Sequence, residues 1–364
     1  MAASMAVIDA VSQRLDSFAD LRRAESSEMG PEAVDFVQAG IDALRGGKRL
    51  RARFLHTGWR TVAEADGRSA DPGEAVVASA AALEVFHVAA LVHDDLIDNS
   101  DTRRGRPAAH RLLEAAYRDR GWRGDAGAFG RSAAILLGDL LLGWSDDLLE
   151  DGLGTVPADR AAQARTLYGR MRRGVTVGQY LDVAEESAWA TTPDDEHAAR
   201  ALRVARFKSA RYSVQQPLLI GAALAGADAG QTAALAAFGE PLGLAFQLRD
   251  DVLGVFGDAS VTGKPAGDDL REGKRTVLIA LARERLPAGG RHVVDELLGD
   301  PGLDQAQIAT LQRTVIDSGA LDRVEDLITR YVREADRALS GAQLGNAAVG
   351  ELRDLARAAT ARTS

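Results

Sequence analysis

The sequence predicts an all-α protein, and three observations carry that expectation. Apolar residues recur at three- and four-residue spacing along most of the chain. No segment alternates with a strand's period of two for any useful length. No linker rich in Pro, Gly and Ser divides the 364 residues, and no short repeat is present. The expected architecture is therefore one domain over residues 1–364, a bundle of about a dozen helices around a central cavity, although the length alone would suit two domains.

The elements follow in order. Val7, Ile8, Val11, Leu15 and Phe18 mark an opening amphipathic helix, and residues 33–44 a second, stopped by Gly46-Gly47. Four cations in six residues, 48–53, lead into Phe54, Leu55 and Trp59. A loop at 67–73 precedes a long apolar run, 76–92. Residues 121–130 are glycine-rich and predict irregular chain. Helices are expected over 132–149, 161–184 and 197–224, the last kinked at Pro217. Residues 232–255 form another, followed by a glycine- and charge-rich loop, 257–273. Helices from Thr276, Asp304 and Leu321 close the chain, with frayed termini.

Composition narrows the partners. A net charge of −9 sets nucleic acid aside as the main partner. With no cysteine, disulfides and thiolate metal sites are excluded, so a metal must be held by carboxylates or histidines. The first twenty residues lack the pattern of a signal peptide. Glu84, His87 and Asp139 interrupt the most apolar windows, so no transmembrane segment is expected and a soluble, cytoplasmic protein is.

The chemistry is concentrated at two acidic clusters. Asp94 and Asp98 stand four apart at the end of the first long apolar run, sharing one helix face, with Asp95 between them. Gln247, Asp250 and Asp251 end the second. Such a cluster is by itself more often a solvated helix end. Its repetition, and the cations beside glycine at Lys48/Arg51, Arg103/Arg104, Lys208, Lys264 and Lys274, point instead to hard divalent ions and phosphate. His87 and His93 read on their own as core histidines, and Trp59 and Trp144 as core.

In order, these motifs resemble those of the trans-isoprenyl diphosphate synthases, the polyprenyl synthetases, over roughly residues 46–276, and within that family the bacterial geranylgeranyl diphosphate synthases. The resemblance implies the isoprenoid synthase fold and a homodimer. It implies that Lys48, Arg51, His87 and Arg104 bind isopentenyl diphosphate. Asp94, Asp95 and Asp98 would bind an allylic diphosphate through several Mg2+ ions, with Asp250 and Asp251 opposite and Arg103 on the same diphosphate. Gln179 and Asp182 would line the cavity, and Lys208, Ser209 and Gln247 would flank the reacting carbon. Lys264 and Lys274 would complete the phosphate site. Asp94, Asp95, Asp98, Arg103, Lys208, Ser209, Gln247 and Asp250 are thus the implied catalytic set. The sequence departs from the family at Gly254, where a third aspartate is usual. Asp250 and Asp251 are expected to suffice there, so Gly254→Asp is expected to change Mg2+ dependence only slightly.

The implied reaction is condensation of isopentenyl diphosphate with an allylic diphosphate, giving geranylgeranyl diphosphate or a somewhat longer trans product. Competing readings are a class I terpene cyclase, disfavoured by the basic groups for a second diphosphate, and a silent subunit of a heteromeric synthase, suggested by Gly254 alone. Ala89 and Ala90, five and four residues before Asp94, stand where short-chain members carry an aromatic blocker. The next bulky residue, Phe86, lies one turn deeper and is the expected cavity floor.

Overall fold

The computed structural model describes residues 2–69, 71–103, 105–257 and 267–360. Ala2–Ser26 (α1) and Pro31–Ala43 (α2) lead to a turn at Gly46 and Gly47, whose φ angles of 79° and 90° favour glycine. Leu50–Ala65 (α3) and Glu74–Ile97 (α4) follow, the latter apolar around nearly its whole circumference. Beyond it Thr102–Arg103 (β1) pairs antiparallel with Arg106–Pro107 (β2), a hairpin the sequence pattern does not show. Ala109–Asp119 (α5), Ala126–Leu153 (α6) and Ala158–Ala188 (α7) come next. His197–Val204 (α8) widens into π-helical turns over Ala205–Gln215 and returns to α-helix at Gln216–Ala225 (α9). Ala229–Phe256 (α10) begins with a capping box between Asp228 and Gln231. Asp268–Arg271 (α11) is a single turn. Val277–Arg285 (α12), Ala288–Leu297 (α13), Gln305–Asp317 (α14), Ala320–Ala338 (α15) and Asn346–Thr360 (α16) complete the bundle.

The all-α expectation holds, with corrections of detail. Residues 126–130 are helical, not irregular, and α5, α13 and α16 are additional helices. The distortion expected at Pro217 lies upstream of it, in the π-helical stretch. Pro217 itself sits in the first turn of α9, which continues directly from the π-helical stretch, so its missing N–H interrupts the hydrogen-bond ladder there. Two helices, Glu74–Ile97 and Ala126–Leu153, are long and apolar enough to cross a membrane by length and composition, against the expectation. For the first, 78% of that apolar window is buried inside the fold, as the core helix of a bundle would be.

Apolar side chains gather in two clusters. One joins α1, α3, α4, α6, α7, α9 and the first half of α10; the other joins the second half of α10 with α8 and α12 to α15. The π-helical stretch is gripped between two glycine contacts. A Cβ at Gly178 of α7 would overlap the Lys208 backbone, and one at Gly243 of α10 would come 2.6 Å from Ala210 Cα. These close approaches fix the π-helical stretch that carries Lys208 relative to α7 and α10. Gly243→Ala should therefore destabilise the fold by about 1–3 kcal/mol, the usual cost of overpacking; an unchanged thermal midpoint in scanning calorimetry would show that the contact is loose.

Candidate active site

The C-terminal ends of α4 and α10 open onto one cavity of about 970 Å³, lined by members of both apolar clusters. Of the residues singled out from the sequence, Lys48, Arg51, Phe86, His87, Ala90, Asp94, Asp98, Arg103, Gln179, Lys208, Ser209, Gln247, Asp250, Asp251 and Lys274 all line it. Arg104 and Lys264 lie outside the described residues. Two others are placed elsewhere. Asp95 is only 3% exposed and turns from the cavity to accept a 2.7 Å hydrogen bond from Arg103 Nε. Consecutive helix residues point about 100° apart, so Asp95 cannot share the face of Asp94 and Asp98. It holds an arginine at the cavity edge. Ala89 is fully buried in the core, and only Ala90 of the alanine pair reaches the cavity.

The charges are arranged in opposed pairs. Lys208 Nζ lies 2.5 Å from Asp182 Oδ2 and 3.3 Å from Asp94 Oδ1, while Lys274 is paired with Asp98. Burial alone would lower the Lys208 pKa, but Asp94, Asp182 and Asp98 outweigh it and hold the ammonium firmly charged. Burial pushes the Asp94 carboxyl up, and the charges of Lys208, Lys274 and Arg103 bring it below the usual carboxylate range. Burial, then the Asp94 charge, leaves Asp98 raised. Across the cavity, burial drives Asp251 well above its ordinary value, although Gln247 Nε2 donates to it at 2.7 Å.

A second polar group sits on the other side. Arg49 adopts φ 47°, a left-handed backbone unusual outside glycine, held by its side-chain hydrogen bond of 2.7 Å to the Leu44 carbonyl. That turn sets Lys48 and Arg51 on the cavity wall. Arg51 donates to Ser213 Oγ at 2.7 Å and lies over the Tyr212 ring, 4.3 Å from its centroid. Tyr212 Oη is 2.9 Å from His87 Nδ1, so His87 is a cavity residue bonded to a phenol, not a core histidine bonded to a carbonyl. Tyr212 escapes the sequence reading; its only signal is its spacing of four from Lys208. Glu84, by contrast, is structural, accepting from the Ala52 backbone N–H at 3.0 Å. At the apolar end Phe86 stands edge-on to Tyr168 and Tyr212, with Leu142 and Val175 beside it.

The Polyprenyl synthetase family profile matches residues 36–315. The chain belongs to that family. As a polyprenyl synthetase it is a trans-prenyltransferase. It is 32% identical over 334 residues to a geranylfarnesyl diphosphate synthase of Aeropyrum pernix, covering 88% of this chain and 95% of that one. It is 32% identical over 342 residues to heptaprenyl diphosphate synthase component 2 of Geobacillus stearothermophilus, covering 93% and 92%. Its fold matches a solved geranylgeranyl pyrophosphate synthase from Corynebacterium glutamicum, complexed with isoprenyl diphosphate and magnesium, with TM-score 0.91 and 37% identity over 98% and 99% of the two chains.

The donor set fits a hard cation. Asp94 Oδ1 is buried and accepts no aligned hydrogen bond, and all the cavity carboxylates are oxygen ligands. Among the described residues no three of His, Asp and Glu stand close enough to enclose an ion unaided. Magnesium habitually completes its shell with water and substrate phosphate, so such an open site suits it.

The buried Asp251 has a stability consequence. A carboxyl with raised folded-state pKa favours the fold when protonated, so its contribution worsens as pH rises from the unfolded carboxylate range through the folded value. In chelator, Asp251→Asn should raise the thermal midpoint at pH 7 to 8, with the advantage shrinking towards pH 5. A gain that does not vary with pH would contradict the assignment.

Proposed function

We propose that the protein condenses isopentenyl diphosphate with an allylic diphosphate to give geranylgeranyl diphosphate or a somewhat longer trans-prenyl diphosphate. The observation that carries this reading is one cavity with two distinct ionic walls: carboxylates with lysines at one, and Lys48 and Arg51 at the other. A cyclase has no use for the second wall.

In this reading the allylic diphosphate lies between Asp94/Asp98 and Asp250/Asp251, with Arg103 and Lys274 beside its oxygens. Several magnesium ions, when bound there, neutralise the charge of the departing diphosphate. The allylic C–O bond breaks with its electrons leaving on the diphosphate. The π electrons of isopentenyl diphosphate, held by Lys48, Arg51 and His87, form the new C–C bond. A proton is then lost, with the released diphosphate as base. Lys208, Ser209 and Gln247 flank the cationic carbon, and the apolar depth excludes the water that would capture it. We further propose a cytoplasmic homodimer associating through the outward face of α6, where Ile135 and Leu136 are exposed.

Incubation of the protein alone with Mg2+, isopentenyl diphosphate and a series of allylic diphosphates tests the activity, and excludes a silent subunit if product forms. Asp94→Ala and Asp98→Ala should each lower kcat by at least ~10²-fold, as loss of one preorganised electrostatic stabiliser does. Rates within a few-fold of wild type in both would sink the metal assignment.

Product length follows from α4. Phe86, Ala90 and Asp94 are four apart and share one stripe, and a helical turn of about 5.4 Å is close to one isoprene unit. Ala90 leaves its level open, and Phe86, wedged between two tyrosines, closes the next. Phe86→Ala should lengthen the product by at least one unit while costing about 3–5 kcal/mol of stability. Ala90→Phe should shorten it towards farnesyl, whereas a bulky residue at the core position Ala89 should mainly destabilise. Chromatography of the dephosphorylated products decides; unchanged chain length in both cavity variants would remove Phe86 as floor.

A further inference from the structure

Tyr212 stands between two of the groups proposed to hold isopentenyl diphosphate. Its ring face carries the Arg51 guanidinium, and Ser213, the next residue, accepts from Arg51. Its hydroxyl lies 2.9 Å from His87 Nδ1. An edge-on contact with Phe86, 5.7 Å between ring centroids, closes another side, and the tyrosine is buried. The stretch that carries it is seated by the close approach of Gly243 to Ala210, two residues earlier. The ring is therefore held on several sides, and its hydroxyl is aimed at one nitrogen of the imidazole.

These neighbours decide the direction of that hydrogen bond. Burial pushes the phenol well above its ordinary value, against the Arg51 charge, so at neutral pH the hydroxyl keeps its proton. A guanidinium has donors only and offers that proton no acceptor. His87 Nδ1 does accept it when the imidazole is neutral and the other ring nitrogen, Nε2, carries the ring proton.

We propose that Tyr212 is a positioning residue for isopentenyl diphosphate: its hydroxyl donates to His87 Nδ1 and holds the imidazole in the tautomer whose Nε2–H is offered to the diphosphate. This rests on the prenyl-transfer reading above. The opposite tautomer would present a lone pair, not a donor, to an anion, and would turn an N–H towards the phenol. Phenylalanine in place of Tyr212 would keep the ring contacts with Arg51 and Phe86 and lose only the donor. The wall thus requires a tyrosine for its hydroxyl, a demand that packing alone does not make.

The test is Tyr212→Phe, alone and combined with His87→Ala, with the thermal midpoint taken to confirm that each variant folds. Tyr212→Phe should raise KM for isopentenyl diphosphate at least ~10-fold, the scale of one hydrogen bond to a charged partner, and leave KM for the allylic substrate and the product length unchanged. In the His87→Ala background the same change should add less than ~2-fold, because the hydroxyl acts only through the imidazole. Nitrogen-15 spectra of the histidine rings, six in the chain with His87 identified by His87→Ala, read the tautomer without substrate. Nε2 should carry the proton in the wild type at pH 8, and Tyr212→Phe should shift protonation towards Nδ1. Equal losses in the two backgrounds, an allylic KM that rises as much, or a wild-type ring protonated at Nδ1 would overturn the proposal. Calorimetric binding of isopentenyl diphosphate separates this from the activity itself. A wild type that forms no product, yet binds this ligand and loses affinity in Tyr212→Phe, overturns the prenyl-transfer reading and supports the role of Tyr212. A wild type that does not bind it overturns both.

Discussion

Keeping several carboxylates ionised inside a largely apolar bundle is the constraint on which the rest of this structure depends. Desolvating one charge costs several kcal/mol unless a partner offsets it. Asp94 and Asp98 carry a further penalty, because they stand at the C-terminal end of α4, where the helix dipole disfavours negative charge. The protein meets this with Lys208 and Lys274, each set against a carboxylate of the first cluster. These ion pairs keep the site assembled, and they leave Asp94 with an oxygen lacking an aligned donor. In the proposed reading, a divalent cation carrying a diphosphate would satisfy what the lysines alone do not.

Placing Lys208 at that point explains the irregular helix. Cavity-lining residues along this stretch come in pairs at 204/205, 208/209 and 212/213, a spacing wider than the 3.6 residues of an α-helix. A regular helix would have rotated the later pairs out of the cavity. The π-helical turns keep Lys208, Ser209 and Tyr212 on one wall, so one stretch reaches Asp94 and Asp182 with its lysine and His87 with its tyrosine. The glycine contacts from α7 and α10 hold the distortion in place.

What the sequence disclosed and what it hid divide along this line. The acidic clusters were legible because a spacing of four on a helix is a local property, and so was the apolar character of α4. Asp95 and Ala89 were misplaced by one residue each. An apolar-all-round helix gives no amphipathic stripe by which to set the phase of its cavity face. The start of α6 was read as loop from its glycines. Gly130 is there because a side chain would meet the His110 backbone of α5, so it records a close helix approach and not a helix break.

The same helix that carries the charge also measures depth. Along one stripe of α4 the cavity passes from Asp98 and Asp94 at the mouth, through Ala90 and His87, to Phe86. Leu83, Val85, Ala89 and Val92 are committed to the core, while Leu91, His93 and Ile97 widen the cavity face. Polarity therefore falls with depth along a rigid element, and the distance from the carboxylates at the mouth to Phe86 is set by helix rise, not by loop conformation. This separates two demands that could otherwise conflict. The mouth must hold ions, water and phosphate, while the depth must exclude water from a growing apolar chain. Because the stripe is straight, a change of side chain at one level can alter capacity without moving the carboxylates two turns away. Tyr212 is the exception, touching both Phe86 and His87. Through it Phe86 and the wall proposed for isopentenyl diphosphate share a contact.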